Sequence, residues 1–435
     1  MQVKRWLSLG LAGLLLLITG MLLLIGYKWP GISEFFYMAR AFPGGMLPAG
    51  ITGVVVGMVL ICLGLSRAFR SVVEPLDSGD RVVDRVFNRR QLQRGPKIVV
   101  IGGGTGLSML LRGLKEYTSN LTAIVTVADD GGSSGRLRGD QGMLPPGDVR
   151  NCLVALADKE PFMEQLLQYR FPSGELAGHS MGNLLLAALN NISGSFDGAI
   201  KGLSRVLAIR GQVLPVTLED VSLCAETEDG EVVCGESQIP RSGKKIRRVF
   251  LNPETCSPLD EALEAIKSAD AVVLGPGSLY TSVLPNLLVN GISQALAESW
   301  ASKIYVCNVM TQPGETTGYT VSDHIRAIID HGGPVVDWAV VNQEAIHGRT
   351  LSRYKKEGAE PVEIDEREAA QMNVRVQRGD LLQEGNMVRH HPDRLARHIM
   401  HLVMLHKDGG DRVIPFNMYH DRYAVQGKKE ALTGQ

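Results

Sequence analysis

The sequence predicts an α/β body with a doubly wound, mainly parallel (Rossmann-like) sheet, preceded by two transmembrane helices. Three observations predict it. From residue 96 onward, short apolar runs rich in Val and Ile alternate with helix-patterned stretches. Four of those runs end in loops dense in glycine and polar residues. Two long uncharged runs come before residue 70. The chain has 435 residues and a formal net charge of −1, so length suggests roughly two or three units and charge excludes nucleic acid as the expected partner.

The first uncharged run covers residues 6–27. At ~1.5 Å rise per residue it can cross a ~30 Å hydrocarbon core. The second covers residues 41–66 and contains "MLPAGITGVVVGMVLICLGL", whose Gly and Pro are tolerated inside a bilayer. A cleaved signal peptide is the rival reading, disfavoured by the length of the first run and by the second run close behind it. Lys4 and Arg5 precede the first run, eight basic and four acidic residues lie in 67–97, and the only basic residues of the connecting loop are Lys28 and Arg40. That asymmetry places both ends on the cytoplasmic side of a multi-pass cytoplasmic membrane protein. Residues 1–70 are then a hairpin anchor, 71–95 a basic linker, 96–410 the main cytoplasmic domain and 411–435 a polar tail. The linker suits anionic lipid as well as plain solvent.

Strand-like runs occur at 97–101, 121–127, 271–275, 303–310 and 335–342. Being continuously apolar, they suit parallel strands buried on both faces. Between the first two, Leu107, Leu110, Leu111 and Leu114 repeat at i, i+3, i+4, i+7, which predicts a helix with one buried face. Residues 221–239 place Asp229-Gly230 between two β-like runs and predict a hairpin excursion. Cys62, Cys152, Cys224, Cys234, Cys256 and Cys307 form no CxxC pair and read as reduced thiols.

Ligands of such sheets bind beyond the carboxyl ends of the strands. The first loop, "GGGTG", offers Gly102, Gly103, Gly104, Thr105 and Gly106. It fails the dinucleotide fingerprint, since Leu107 stands where the third glycine belongs, and no P-loop sequence occurs anywhere. Glycines before a helix still let backbone N–H groups meet a phosphate; a tight turn without a ligand is the plainer alternative. The second loop, "ADDGGSSGRLR", offers Asp129 and Asp130 for ribose hydroxyls, a divalent ion such as Mg2+, or a proton, with a turn or capping role as the alternative. "PPGDVRN" adds Asp148 and Arg150, the arginine pairing with a phosphate or with a nearby aspartate.

"GHSMGN" places His179, Ser180 and Asn183 at the expected mouth of a helix. It also matches the nucleophile elbow G-x-S-x-G, but no strand precedes it, and residues 131–135 match the same pattern. The third loop, "GPGSLYTS", offers Gly275, Gly277, Ser278, Tyr280 and Thr281, the tyrosine stacking on a base or packing beneath its loop. The fourth offers Asn308, Thr311 and Glu315, with Arg326 downstream on a helix capped by Ser322 or Asp323, where an exposed ion pair is the alternative.

"IGGGTGLSMLLRGLK", "VTVADDGGSSGRLR", "LPPGDVRN", "GHSMGNLLLAAL", "LGPGSLYTSVLPNLLV" and "VCNVMTQPGETTGYTVSDH" together resemble the YvcK/CofD-like family, nearest its gluconeogenesis factor branch, over roughly residues 96–405. The resemblance implies binding of UDP-N-acetylglucosamine or an NAD-like dinucleotide. It also implies influence on gluconeogenic growth, cell-wall precursor supply and cell shape through a regulatory protein partner. Enzymes of the family transfer 2-phospho-L-lactate to a deazaflavin alcohol, with the aspartates after the second strand helping to bind the alcohol or a metal. Carried onto this chain, the family residues are Gly103, Gly104, Thr105, Asp129, Asp130, Asn183, Ser278 and Tyr280. Residues 1–95 are an addition to the family core.

Three functions compete on these grounds: a membrane-held ligand sensor without catalysis, a transferase of the phospholactate type using Asp129 and Asp130, and, remotely, a serine hydrolase. Oligomeric state is left open, a homo-dimer included.

Overall fold

Leucine-rich runs form two long helices, α1 (Gln2–Lys28) and α2 (Met46–Val73). The computed structural model describes residues 2–28, 46–73, 90–158, 161–383, 385 and 387–407. The interhelical loop, most of the 71–95 linker and the 411–435 tail lie outside the described residues. The chain falls into two units that divide after Arg90.

In the first unit, α1 and α2 pack through glycines. A Cβ on Gly13 would stand 2.8 Å from the Gly57 carbonyl oxygen, and one on Gly20 would stand 2.7 Å from the Val54 nitrogen. Small residues of this kind let apolar helices approach where no hydrophobic force joins them. Ser8–Ile25 and Leu47–Arg67, with mean hydropathies of 2.5 and 2.2 and mostly unburied side chains, are each long and apolar enough to cross a membrane. Pro48 falls in the first turn of α2, where its missing N–H leaves no bond unmade.

The second unit contains β1 (Ile98–Gly102), β2 (Leu121–Val125), β3 (Gln212–Pro215), β4 (Ser222–Thr227), β5 (Val232–Cys234), β6 (Ile246–Asn252), β7 (Ala271–Leu274), β8 (Ser302–Val306), β9 (Trp338–Asn342) and β10 (Arg375–Gly379). Seven of these form one parallel sheet in the order β10-β9-β8-β7-β1-β2-β3. Ile98 in β1 lies opposite Leu121 on one side and Ala271 on the other. The chain builds outward from β1 through β2 and β3, then returns to build the other way from β7. The β1/β7 junction is therefore the switch point, where open sheets of this kind leave a crevice.

Every residue of β1, β2 and β7 is buried, as continuous apolar runs require. Leu107, Leu110, Leu111 and Leu114 of α3 (Gly104–Leu114) are all fully buried, each contributing about 1.5–3 kcal/mol. The edge strands β3 and β10 go beyond what the apolar pattern predicts: β3 is only four residues long, and β10 is "RVQRG", half-exposed and too polar to read as a core strand.

The excursion is real but three-stranded, in the antiparallel order β5-β4-β6. Its register sets Cys224 directly opposite Cys234, and the two form a disulfide. This corrects the expectation of six reduced thiols: the hairpin turn, not a CxxC spacing, brings the pair together. The helix carrying Arg326, Val321–Gly332, is also capped differently than expected. Thr320 is the N-cap, and Asp323 reaches back to it in a capping box, while Ser322 binds Asp365.

Candidate functional site at the sheet switch point

The four loops meet. A Cβ on Gly102 would be 3.7 Å from the Gly275 Cα, and one on Gly106 would be 2.6 Å from the Pro276 carbonyl oxygen. The turns after β1 and β7 thus lie against each other, with no room at Gly106 for a side chain. Gly104 (φ +70°) and Gly275 (φ +80°) also adopt a backbone that L side chains resist. The fourth loop joins through Gln312, whose side-chain amide donates to Ser278 Oγ at 2.8 Å and accepts from Asn308 Nδ2 at 3.2 Å.

On the other side, the helix Gly147–Leu156 starts after the proline turn, beside the second loop. A Cβ on Gly147 would be 3.2 Å from Asp129 Oδ2, and one on Gly103 would be 2.6 Å from Asp148 Oδ2. Asp148 accepts the Gly104 N–H at 2.6 Å. The first glycine turn therefore already holds an anion. Burial, followed by the nearby Asp129, pushes the Asp148 carboxyl up to about 6. Asp129 also accepts the Gly131 N–H at 2.8 Å.

Asp130 turns away from its neighbour and accepts the Ser237 N–H at 2.9 Å, tying the β4–β6 excursion to the second loop. This brings Glu236 into the crevice, a residue that no sequence motif marks, because only the folded-back hairpin places it there. Burial and then Asp129 raise Glu236 to about 7. Glu315 accepts from Thr281 Oγ1 at 3.3 Å and is raised to about 7 by burial. Its Oε2 is buried without a hydrogen-bond partner among the described residues.

A second cluster surrounds the start of the helix Met181–Ser193. Ser180 is its N-cap and accepts from the Asn183 N–H and from Arg150 Nη1. Ser133 Oγ shares a hydrogen bond with His179 Nδ1 at 3.0 Å and accepts from Asn183 Nδ2 at 3.0 Å. Burial, followed by Arg136, holds the His179 ring below its ordinary value. Arg150 is 7% exposed, its Nη2 donates to Asn151 Oδ1 at 2.7 Å, and its Nε has no partner among the described residues. Among those residues no carboxylate forms an ion pair with it, though Asp148 and Asp129 act on its charge from nearby.

Other candidates have partners within the fold. Tyr280 is 3% exposed, bonded through its hydroxyl to Tyr319 Oη at 2.9 Å and packed edge-on against Tyr319 and His331. It packs beneath its loop rather than presenting a stacking face. Thr311 is buried and exchanges bonds with the Glu360 backbone. Arg326 lies on an exposed helix face, paired with Asp323 at 3.3 Å. Ser180 comes after a turn, not a strand, and its oxygen is committed to the helix cap, unlike a nucleophile elbow. Among the described residues, no three His, Cys, Asp or Glu side chains are placed to hold a metal together.

Residues 98–382 match the family model described as 2-phospho-L-lactate transferase CofD. A protein of Bacillus subtilis named gluconeogenesis factor is 50% identical over 311 residues, covering 71% of this chain and 98% of that one. A Nostoc sp. protein provisionally given the same name is 48% identical over 413 residues, covering 91% of this chain and 90% of that one. A crystal structure of a Bacillus halodurans protein superposes with a TM-score of 0.69 at 53% identity, covering 71% of this chain and 100% of that one.

Proposed function

The chain belongs to the CofD family, among relatives named gluconeogenesis factors, and from that premise we propose that it is a ligand-sensing regulator rather than an enzyme. Its ligand is UDP-N-acetylglucosamine or a related nucleoside diphosphate, an NAD-like dinucleotide being the nearest alternative. Binding reports on carbon metabolism and cell-wall precursor supply, and so on cell shape, through a protein partner. Residues 1–70 anchor the chain in the cytoplasmic membrane, with the α/β body in the cytoplasm. The length and apolarity of α1 and α2 support the anchor.

One observation carries the reading: the glycine turns after β1 and β7 touch at the switch point, and an amide of the first is already satisfied by a carboxylate. An amide that holds a carboxylate at 2.6 Å has the geometry to hold a phosphate oxygen. The Arg150 guanidinium offers a further anion contact. The test is thermal unfolding of the full chain in detergent with UDP-N-acetylglucosamine, NAD and GDP-linked compounds. A ligand at 100 times its Kd stabilises the native state by about 2.7 kcal/mol, so UDP-N-acetylglucosamine should raise the melting temperature. No rise at millimolar concentration overturns the reading.

The family model itself favours a second reading, transfer of 2-phospho-L-lactate to a deazaflavin alcohol. Asp129 and Asp130 would then assist the acceptor hydroxyl, each with one oxygen already on a backbone amide, that of Gly131 and of Ser237. Incubation with an activated phospholactate donor and the alcohol should give no product; turnover would replace the sensor reading with this one.

A further inference from the structure

We propose that Cys224 and Cys234 form a reversible thiol–disulfide site whose state sets how firmly the 235–237 loop closes one side of the crevice. The two cysteines face each other across β4 and β5 and are bonded. Cys224 is buried, whereas Cys234 is exposed and open to attack.

The three residues after Cys234 give the bond its reach. Gly235 turns the chain, its N–H donating to the Leu223 carbonyl at 2.8 Å. Glu236 hydrogen-bonds the Thr281 side chain of the third loop, within electrostatic reach of Asp129, Asp148 and Glu315. Ser237 donates its N–H to Asp130. A single covalent bond thus lies immediately before three residues that line or brace the site. Besides this bond, β5 is held by its pairing with β4, by the Glu231 carbonyl accepting from Thr227, by the Glu231–Lys244 ion pair and by half-buried Val233. β5 is three residues long, at the edge of its sheet, and Val232 is 54% exposed. With so little apolar surface buried, an unlinked β5 belongs to the class of segments that open locally. The remaining free cysteines in the described α/β body, Cys152, Cys256 and Cys307, are buried and take no part.

The exchange balances with a dithiol reductant. One reductant thiolate attacks the exposed Cys234 sulfur, the Cys224–Cys234 bond breaks, and Cys224 leaves as a thiolate that takes up a proton. The second reductant thiol then displaces Cys234 and forms the reductant's own disulfide. Two electrons and two protons pass to the protein, and oxidation reverses the sequence.

The test compares the full chain in detergent before and after reduction with dithiothreitol, alongside Cys234→Ser, which replaces an exposed atom and spares the core. Hydrogen exchange over residues 232–238 should quicken by about tenfold on reduction, and Cys234→Ser should exchange quickly in both conditions. Mass mapping after alkylation should label this pair only once reduced. Equal exchange in the two states, or complete labelling of both thiols in oxidised protein, overturns the proposal. A ligand arm rests on the proposed nucleotide-sugar reading: the Kd for UDP-N-acetylglucosamine should differ by about threefold or more between states. An unchanged Kd in a chain that binds overturns the link to the crevice. If the chain binds in neither state, the functional reading fails and the exchange arm alone decides the switch.

Discussion

Glycine does two different jobs in the two units of this chain. In the helix pair, Gly13, Gly20 and Gly57 keep ordinary helical backbone and are needed only because a neighbouring backbone lies where a Cβ would go. At the switch point, Gly104 and Gly275 adopt left-handed backbone, and the first of the turns they form presents its N–H to an anion. Gly106 shares the first requirement without the second: its φ is ordinary, but the Pro276 carbonyl blocks any side chain. Close approach and unusual conformation are separable demands, and the difference tells which substitutions should disturb packing and which should disturb binding.

The largest expected effect is at Gly106. Gly106→Leu forces the β1 and β7 turns apart, and overpacking of this kind costs about 1–3 kcal/mol. Thermal unfolding of the α/β body should show a lower midpoint, and ligand titration should show binding lost. Retained binding would separate the crevice from these turns. Next comes Gly57→Leu, which should expose the amides of α2 to faster hydrogen exchange while leaving the midpoint of the body unchanged. A matching fall in the body would break the distinction between the two units.

Asp148→Asn sharpens the comparison from the side of charge. The Asp148 carboxyl has a folded value of about 6 against an ordinary 3.8, so the folded protein binds the extra proton. Stability from this group is therefore gained as pH falls through about 6 and is absent well above it. The asparagine chain should bind a diphosphate ligand up to about tenfold more tightly at about pH 8 and nearly equally at about pH 5, because one carboxylate charge is removed only where it existed. Isothermal titration at the two pH values checks this; weaker binding at the higher pH would show that the carboxylate helps to hold the ligand. The smallest effect belongs to Arg326→Ala. Its ion pair with Asp323 is exposed, such pairs contribute about 0–1 kcal/mol, and the ligand Kd should stay within about twofold.

The centre of the fold was legible because its strands and α3 are buried and written in continuous or periodic apolar residues. Ile98 through Ile101 and the four leucines of α3 leave little choice. The edges were not, since β3 is short and Arg375, Gln377 and Arg378 carry solvent-facing chemistry into β10. The rim was legible as glycine-rich turns at strand ends. The role of each side chain there was not, because it depends on contacts between loops distant in sequence. Asp148 reaches Gly104 across 44 residues, and Asp130 reaches Ser237 across 107. Tyr280 shows the same limit from the other direction: an aromatic in a polar loop invites a stacking role, but Tyr319 and His331 enclose it. The Cys224–Cys234 bond depends on strand register, which residue spacing alone does not fix.

The bond from the Gly104 amide to Asp148 changes what affinity would mean here. The resting protein is never vacant at that amide, because it carries its own tenant. Above about pH 6 any phosphate that settles there must evict a resident carboxylate, so association is a swap of one anion for another and not the filling of a hole. A weak, promiscuous anion would gain too little from such a swap to stay, and discrimination against it would arise without a single contact dedicated to rejecting it.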